Sequence, residues 1–181
     1  MASGSALLDA RAILAALGVG RGHHVADLGV GRTGHFVLRA GEAVGESGKV
    51  YAVDILKEAL AMVDGSAQHH GRENVHTVWG DVERGDGVAI PSASLDVALL
   101  VHTLATLTEW DATAREVRRM VKAGGKIAVI DWLPAAIHVA APMVDRRMSP
   151  QESDILFAHA GCQKCGELTP SRWHWGRVYS A

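Results

Sequence analysis

The chain has 181 residues, 48% of them apolar, enough to bury one substantial core but short for two. Its formal charge of −2 offers no general basic field for nucleic acid, and no apolar run approaches the roughly 20 residues that cross a bilayer. An acid interrupts the opening "MASGSALLDARAILAALG", which argues against a signal peptide.

Leu7, Ala10, Leu14 and Leu17 fall at helical spacing before Gly18, so residues 6 to 17 read as an amphipathic helix. Next come "HHVADLG" as a strand, "GHFVLRAGEAVG" as a helix, "GKVYAVDI" as a strand and "LKEALAMVDGSAQHH" as a helix. The alternation continues with the strands "NVHTVWGD" and "LDVALLVH", the helix "WDATAREVRRMVKAGG" and the strand "KIAVIDW". Nearly continuous apolar strands separated by helices predict a parallel sheet covered on both faces, a doubly wound α/β fold. "LPAAIHVAAPMVDRR" reads as an irregular crossover, after which Ser149, Pro150 and Glu152 form a capping box that opens a helix to about Gly161. Two antiparallel strands joined by a turn at Thr169, Pro170 and Ser171 are expected to finish the chain.

No repeat, linker or low-complexity segment breaks the chain, so a single domain over 1–181 is expected: a helix within 1–20, a core over 21–132, and the crossover, last helix and hairpin over 133–181. Cys162 and Cys165 are too few for a disulfide framework, which fits a reducing, cytoplasmic compartment. With His159 and His174 they supply four zinc ligands on paper. A single C-x-x-C without a second pair is a poor zinc signal, however, and no metal is expected.

"VADLGVGRTGHF" carries the chemistry. A strand ending in the acid Asp27 runs into Gly29, Gly31 and Gly34 and then a helix, which aims backbone N–H groups and a helix N-terminus at a ligand. Asp54 ends the next strand, twenty residues after Gly34, where an acid accepts hydrogen bonds from both ribose hydroxyls of an adenosine cofactor. These two features alone fit a nicotinamide dinucleotide as well as S-adenosylmethionine.

The rest of the chain separates them by resemblance. "VADLGVGRTG", "VYAVDI", "WGDVE", "SLDVALLVHTL" and "RRMVKAGGKIAVIDW", in that order and followed by a terminal hairpin, resemble the class I S-adenosylmethionine-dependent methyltransferases, in particular the small ubiquinone and menaquinone biosynthesis C-methyltransferases. The resemblance implies a Rossmann-like sheet of seven strands, mostly parallel, with an antiparallel C-terminal hairpin strand. It implies S-adenosyl-L-methionine as cofactor, with Asp27 bracing the loop near the methionine amino group, Gly29, Gly31 and Gly34 letting the backbone close in, and Asp54 on the ribose. Ile55 would cover the adenine, Asp81 would accept from its exocyclic amine, Val82 would offer a backbone N–H to the ring, and His102 would sit beneath the transferred methyl. One departure stands out: "GRTG" carries one residue more than the family's usual "GTG", which reshapes the turn and turns Arg32 toward the methionine carboxylate or the substrate.

A sulfonium methyl is already electrophilic, so alignment of the acceptor and exclusion of water are the main tasks. His102, His35 and Asp131 are the candidate bases at the C-terminal edge of the sheet, with a structural role open for His102. Trp132 is a candidate wall for an acceptor pocket, whereas Trp173 and Trp175 read as packing residues on one face of the last strand.

The leading function is methyl transfer to a small-molecule acceptor. Three others stay open: an RNA or protein acceptor, suggested by Arg115, Arg118, Arg119 and Lys122 on one helix; an NAD-dependent oxidoreductase, for which only Tyr51 and Tyr179 are available as tyrosines; and a protein that holds the cofactor without turnover. The segments that usually cover the acceptor are short here. That leaves the pocket open or closed by a second subunit, and a homodimer is expected.

Overall fold

A computed structural model of the protein describes residues 7–181. The predicted first helix is observed as α1, Ala10–Ala16, its N-terminus capped by the Asp9 carboxylate accepting from Ala12 N–H at 3.0 Å; position 6 lies outside the described residues. β1 (His24–Leu28), α2 (His35–Val44), β2 (Lys49–Asp54), α3 (Lys57–His69), β3 (Val75–Trp79) and β4 (Leu95–Val101) follow in the predicted alternation. α4 (Trp110–Met120), β5 (Val121–Trp132), α5 (Pro150–His159), β6 (Gln163–Ser171) and β7 (His174–Ser180) complete the chain.

The seven strands form one sheet in the order β3-β2-β1-β4-β5-β7-β6. The first five are parallel, while β7 runs antiparallel to β5 and to β6. Alternate side chains of each buried strand feed two cores. α1, α2 and α3 pack on one face around Val25, Leu99 and Ile130, and α4 and α5 on the other around Leu28, Leu100 and Val129. Each such fully buried aliphatic side chain contributes about 1.5–3 kcal/mol. The strand order reverses between β1 and β4, and the crevice beyond their C-terminal ends is where doubly wound sheets bind ligands.

Three local expectations are corrected. The hairpin turn lies at Arg172 and Trp173, because β6 continues through Pro170 to Ser171; β6 is an edge strand with a register shift between Leu168 and Ser171, where proline takes no ladder bond away. Trp173 therefore sits in the turn, and only Trp175 packs on the strand, 4% exposed. α4 ends at Met120, five residues early, because Val121 is buried in register with Leu95 and the pair Gly124–Gly125 sits in the irregularity that follows. The capping box is as expected: Glu152 N–H donates to Ser149 Oγ (3.2 Å) and Ser149 N–H to Glu152 Oε2 (2.7 Å).

Candidate active site

A cavity of about 450 Å³ opens at the switch point, a volume suited to a cofactor-sized ligand. Asp27 comes to it from β1, Gly29 and Gly31 from the loop after β1, Asp54 from the end of β2 and Ile55 just beyond it, Asp81 and Val82 from the loop after β3, His102 from just past β4, and His35 from the start of α2. Gly34 stands behind this wall: a Cβ there would press to 3.2 Å from Val63 of α3, so it packs the helix start against the core.

Gly29 is required twice over. Its φ is +85°, and a Cβ would lie 2.7 Å from Thr103 Cγ2. Thr103 is held there by its own hydroxyl, which donates to Leu28 C=O at 2.8 Å. Gly31 differs, since a Cβ would meet no protein atom within 4 Å; the space it leaves faces the cavity. Thr33, one of the two residues in the lengthened turn, lines the cavity, while Arg32 is exposed and does not.

The acids have different surroundings. Asp27 is 4% exposed with Oδ1 buried and unpartnered among the described residues, and burial, reinforced by the nearby Asp54 carboxylate, pushes its pKa up to about 7. Asp54 is braced instead: Oδ2 accepts from Gly31 N–H and Oδ1 from Leu56 N–H, both at 2.9 Å. A carboxylate has about four lone-pair sites, so Asp54 keeps acceptor capacity beyond these two bonds. Asp81 accepts from Glu83 N–H at 3.0 Å and pairs with exposed Arg84 at 3.3 Å.

The three candidate bases separate. His102 lines the cavity with φ +58°, and its Nε2 is buried without a partner among the described residues. Burial and then His174 push its pKa down to about 3, so it is a neutral imidazole at pH 7 and a weak base. His35 also lines the cavity, but its Nε2 is bonded to Leu8 C=O at 2.9 Å, tying the N-terminal segment to α2. Asp131 is not brought to the cavity. It is 1% exposed, accepts from Trp132 N–H at 2.8 Å, and lies against the backbone of Leu104 and Ala105; burial raises its pKa to about 6 while those amides and Arg147 oppose the rise.

Sequence reasoning missed Thr103, which the glycine contact at position 29 demands, and the extent of the aromatic stack. Trp132 is 2% exposed and stacks on His102 (5.3 Å between centroids) and His138 (5.3 Å), with His174 at 4.2 Å and Trp173 beyond His138 at 4.9 Å. Trp132 is thus the backing of His102 rather than a pocket wall. Cys162 is buried and Cys165 exposed, and no group of three or more His, Cys, Asp or Glu among the described residues is arranged to hold a metal ion.

The orphaned Asp27 oxygen and the open space at Gly31 fit a ligand with a cationic amine and a ribose next to it. Comparison with known proteins identifies the family. A family model described as "Methyltransferase domain" matches residues 20–170. The chain is similar to the ubiquinone/menaquinone biosynthesis C-methyltransferases UbiE of Pseudoalteromonas translucida, with 30% identity over 128 residues (67% of this chain, 47% of that one), and of Escherichia coli O1:K1, with 30% over 134 (71% and 50%). It spans about half the length of these curated relatives. Among solved structures, a SAM-dependent methyltransferase from Aquifex aeolicus superposes with a TM-score of 0.87 at 23% identity, covering 97% of this chain and 90% of that one. The [4+2]-cyclase SpnF shares the fold at a TM-score of 0.73 and 18% identity, covering 88% and 58%. The chain belongs to the methyltransferase domain family, is similar to the UbiE C-methyltransferases over about half of their length, and has the fold of the SAM-dependent methyltransferase on which it superposes.

Proposed function

We propose that the protein methylates a small molecule, at a carbon or another atom that arrives electron-rich. The observation that carries this is the set of bases: His102 is a weak, neutral imidazole, the His35 Nε2 is engaged with Leu8, and Asp131 lies behind the cavity wall. An acceptor that needs a strong base to ionise it is poorly served by such a site. An acidic carbon, a phenol or a thiol is served well, and the relatives named C-methyltransferases favour carbon.

S-adenosylmethionine, when bound, supplies a sulfonium methyl that needs no further activation. The chain's own residues bind and orient. In this reading Asp27 receives the methionine amino group, Asp54 the ribose hydroxyls, Ile55 covers one face of the adenine, Asp81 accepts from its amine, and Val82 offers a backbone N–H to the ring. His102, backed by Trp132, borders the methyl; the acceptor reaches it already ionised, so transfer of the methyl forms the new bond, breaks the C–S bond and releases S-adenosylhomocysteine with no proton left for the chain to take.

Two observations favour a small acceptor over RNA. Lys122 lies in β5 rather than on α4, and it pairs with Asp96 at 2.8 Å, while Arg119 is bonded to Glu116 at 2.8 Å and pairs with Asp86, so two of the four basic residues expected to form one helical face are already paired. A second subunit over the acceptor side is supported by the crossover, where Ile137 and Val139 are more than 90% exposed. The test is transfer of label from methyl-labelled S-adenosylmethionine to a panel of phenols, thiols and 1,3-dicarbonyls, with bulk RNA and protein alongside and Asp54→Ala as control. Label in small molecules that is lost in Asp54→Ala supports the reading; label in RNA or protein alone overturns it.

A further inference from the structure

Trp79 is a large apolar side chain left 55% exposed at the end of the edge strand β3, a costly place for an indole. The register explains its position. Trp79 stands opposite Asp54 in the β2–β3 ladder, and its Nε1–H donates to Ile55 C=O at 3.0 Å. Asp54 Oδ1 holds the next amide, Leu56 N–H, so the turn from 54 to 56 is fastened at two consecutive residues. Lys57 Nζ lies 5.8 Å from the ring centroid. Ile55 and Leu56, themselves 55% and 52% exposed, are presented at the cavity by this turn, whereas Trp79 does not line the cavity.

We propose that Trp79 is a positioning residue for the adenine end of the cofactor site: its indole N–H fixes the Ile55 peptide so that the Ile55 side chain is already in place when the ligand arrives. The inference rests on the assignment of Ile55 to the adenine. With the N–H removed, the exposed Ile55 carbonyl turns to water and only Asp54 still holds this peptide, so part of the ordering of the turn falls to the ligand, which weakens binding.

The test is calorimetric titration with S-adenosylhomocysteine and, separately, adenosine, on wild type, Trp79→Phe, Ile55→Ala and the double variant. Trp79→Phe is expected to weaken both ligands by a similar factor, about fivefold, the size set by one ordinary hydrogen bond. It should leave the thermal midpoint near that of wild type, because the ring stays and the site is exposed. In the Ile55→Ala background the same change should cost less than twofold, since the group being positioned is gone. Equal losses in both backgrounds, or a loss for S-adenosylhomocysteine but not adenosine, would overturn the role given to Trp79. Wild-type protein that binds S-adenosylhomocysteine while Trp79→Phe binds it equally well overturns the role and leaves the methyl-donor site intact; wild type that binds neither ligand overturns both.

Discussion

Asp27 shows how a single burial decides a residue's chemistry. An ordinary aspartate ionises near 3.8, and this one is pushed up to about 7. Between those values the folded chain holds a proton that the unfolded chain has released, so stability falls as pH rises from about 4 to 7 and is flat above. The full shift corresponds to about 4 kcal/mol, an upper bound for so buried a group. Asp27→Asn is therefore expected to raise the thermal midpoint of the cofactor-free protein at pH 8 and to change it little at pH 4. A cationic amine favours the ionised carboxylate, so wild-type affinity for S-adenosylhomocysteine should rise from pH 6 to pH 8. The Asn variant should bind at least tenfold more weakly with no such slope, and calorimetry at three pH values checks this.

Gly29 is the other residue whose identity is forced. Gly29→Ala adds a strained φ to a contact of 2.7 Å with Thr103, and we expect a loss of about 2–4 kcal/mol in urea denaturation. Part of that should return in the background of Thr103→Ala, which removes the nearer atoms. The glycine pattern and Asp54 were legible in the sequence because glycine and a strand-ending acid are local signals. The separation of the three candidate bases was not. Whether a histidine is free, tied to Leu8 or stacked on Trp132 depends on residues distant in the chain.

Among the elements, the parallel strands, their helices and the α5 capping box follow from hydrophobic period and local side-chain chemistry. The misplaced boundaries follow from pairing. Val121 leaves the helix because Leu95 pairs with it, and Pro170 stays in a strand because that strand is an edge. The crossover from Leu133 to Ser149 lacks periodicity because one side chain organises it. The Arg147 guanidinium donates to the carbonyls of Pro134 (3.0 Å), Ala136 (2.7 Å) and Pro142 (2.7 Å). Arg147→Lys keeps the charge but cannot span these oxygens. Hydrogen exchange in residues 135–146 should accelerate at least tenfold in that variant, with S-adenosylhomocysteine affinity unchanged; protection equal to wild type would show that His138, wedged between Trp132 and Trp173, holds the loop instead.

On the scale of the molecule, the sheet supplies the cofactor cavity at its switch point, and the crossover beside it carries Ile137, Val139, Met143 and Val144 into solvent. No helix among the described residues is long and apolar enough to cross a membrane. A stapled loop with four exposed apolar side chains fits the proposed homodimer. Light scattering at micromolar concentration should then give twice the chain mass for wild type and the chain mass for the double variant Ile137→Asp, Val139→Asp; a wild-type monomer would remove the second subunit from the account. Whether the lengthened glycine turn still forms a methyl-donor site is decided by titration with S-adenosylhomocysteine and NAD in parallel. Saturable binding of S-adenosylhomocysteine, abolished by Asp54→Ala, with no heat from NAD is the predicted result; binding of NAD alone would contradict it.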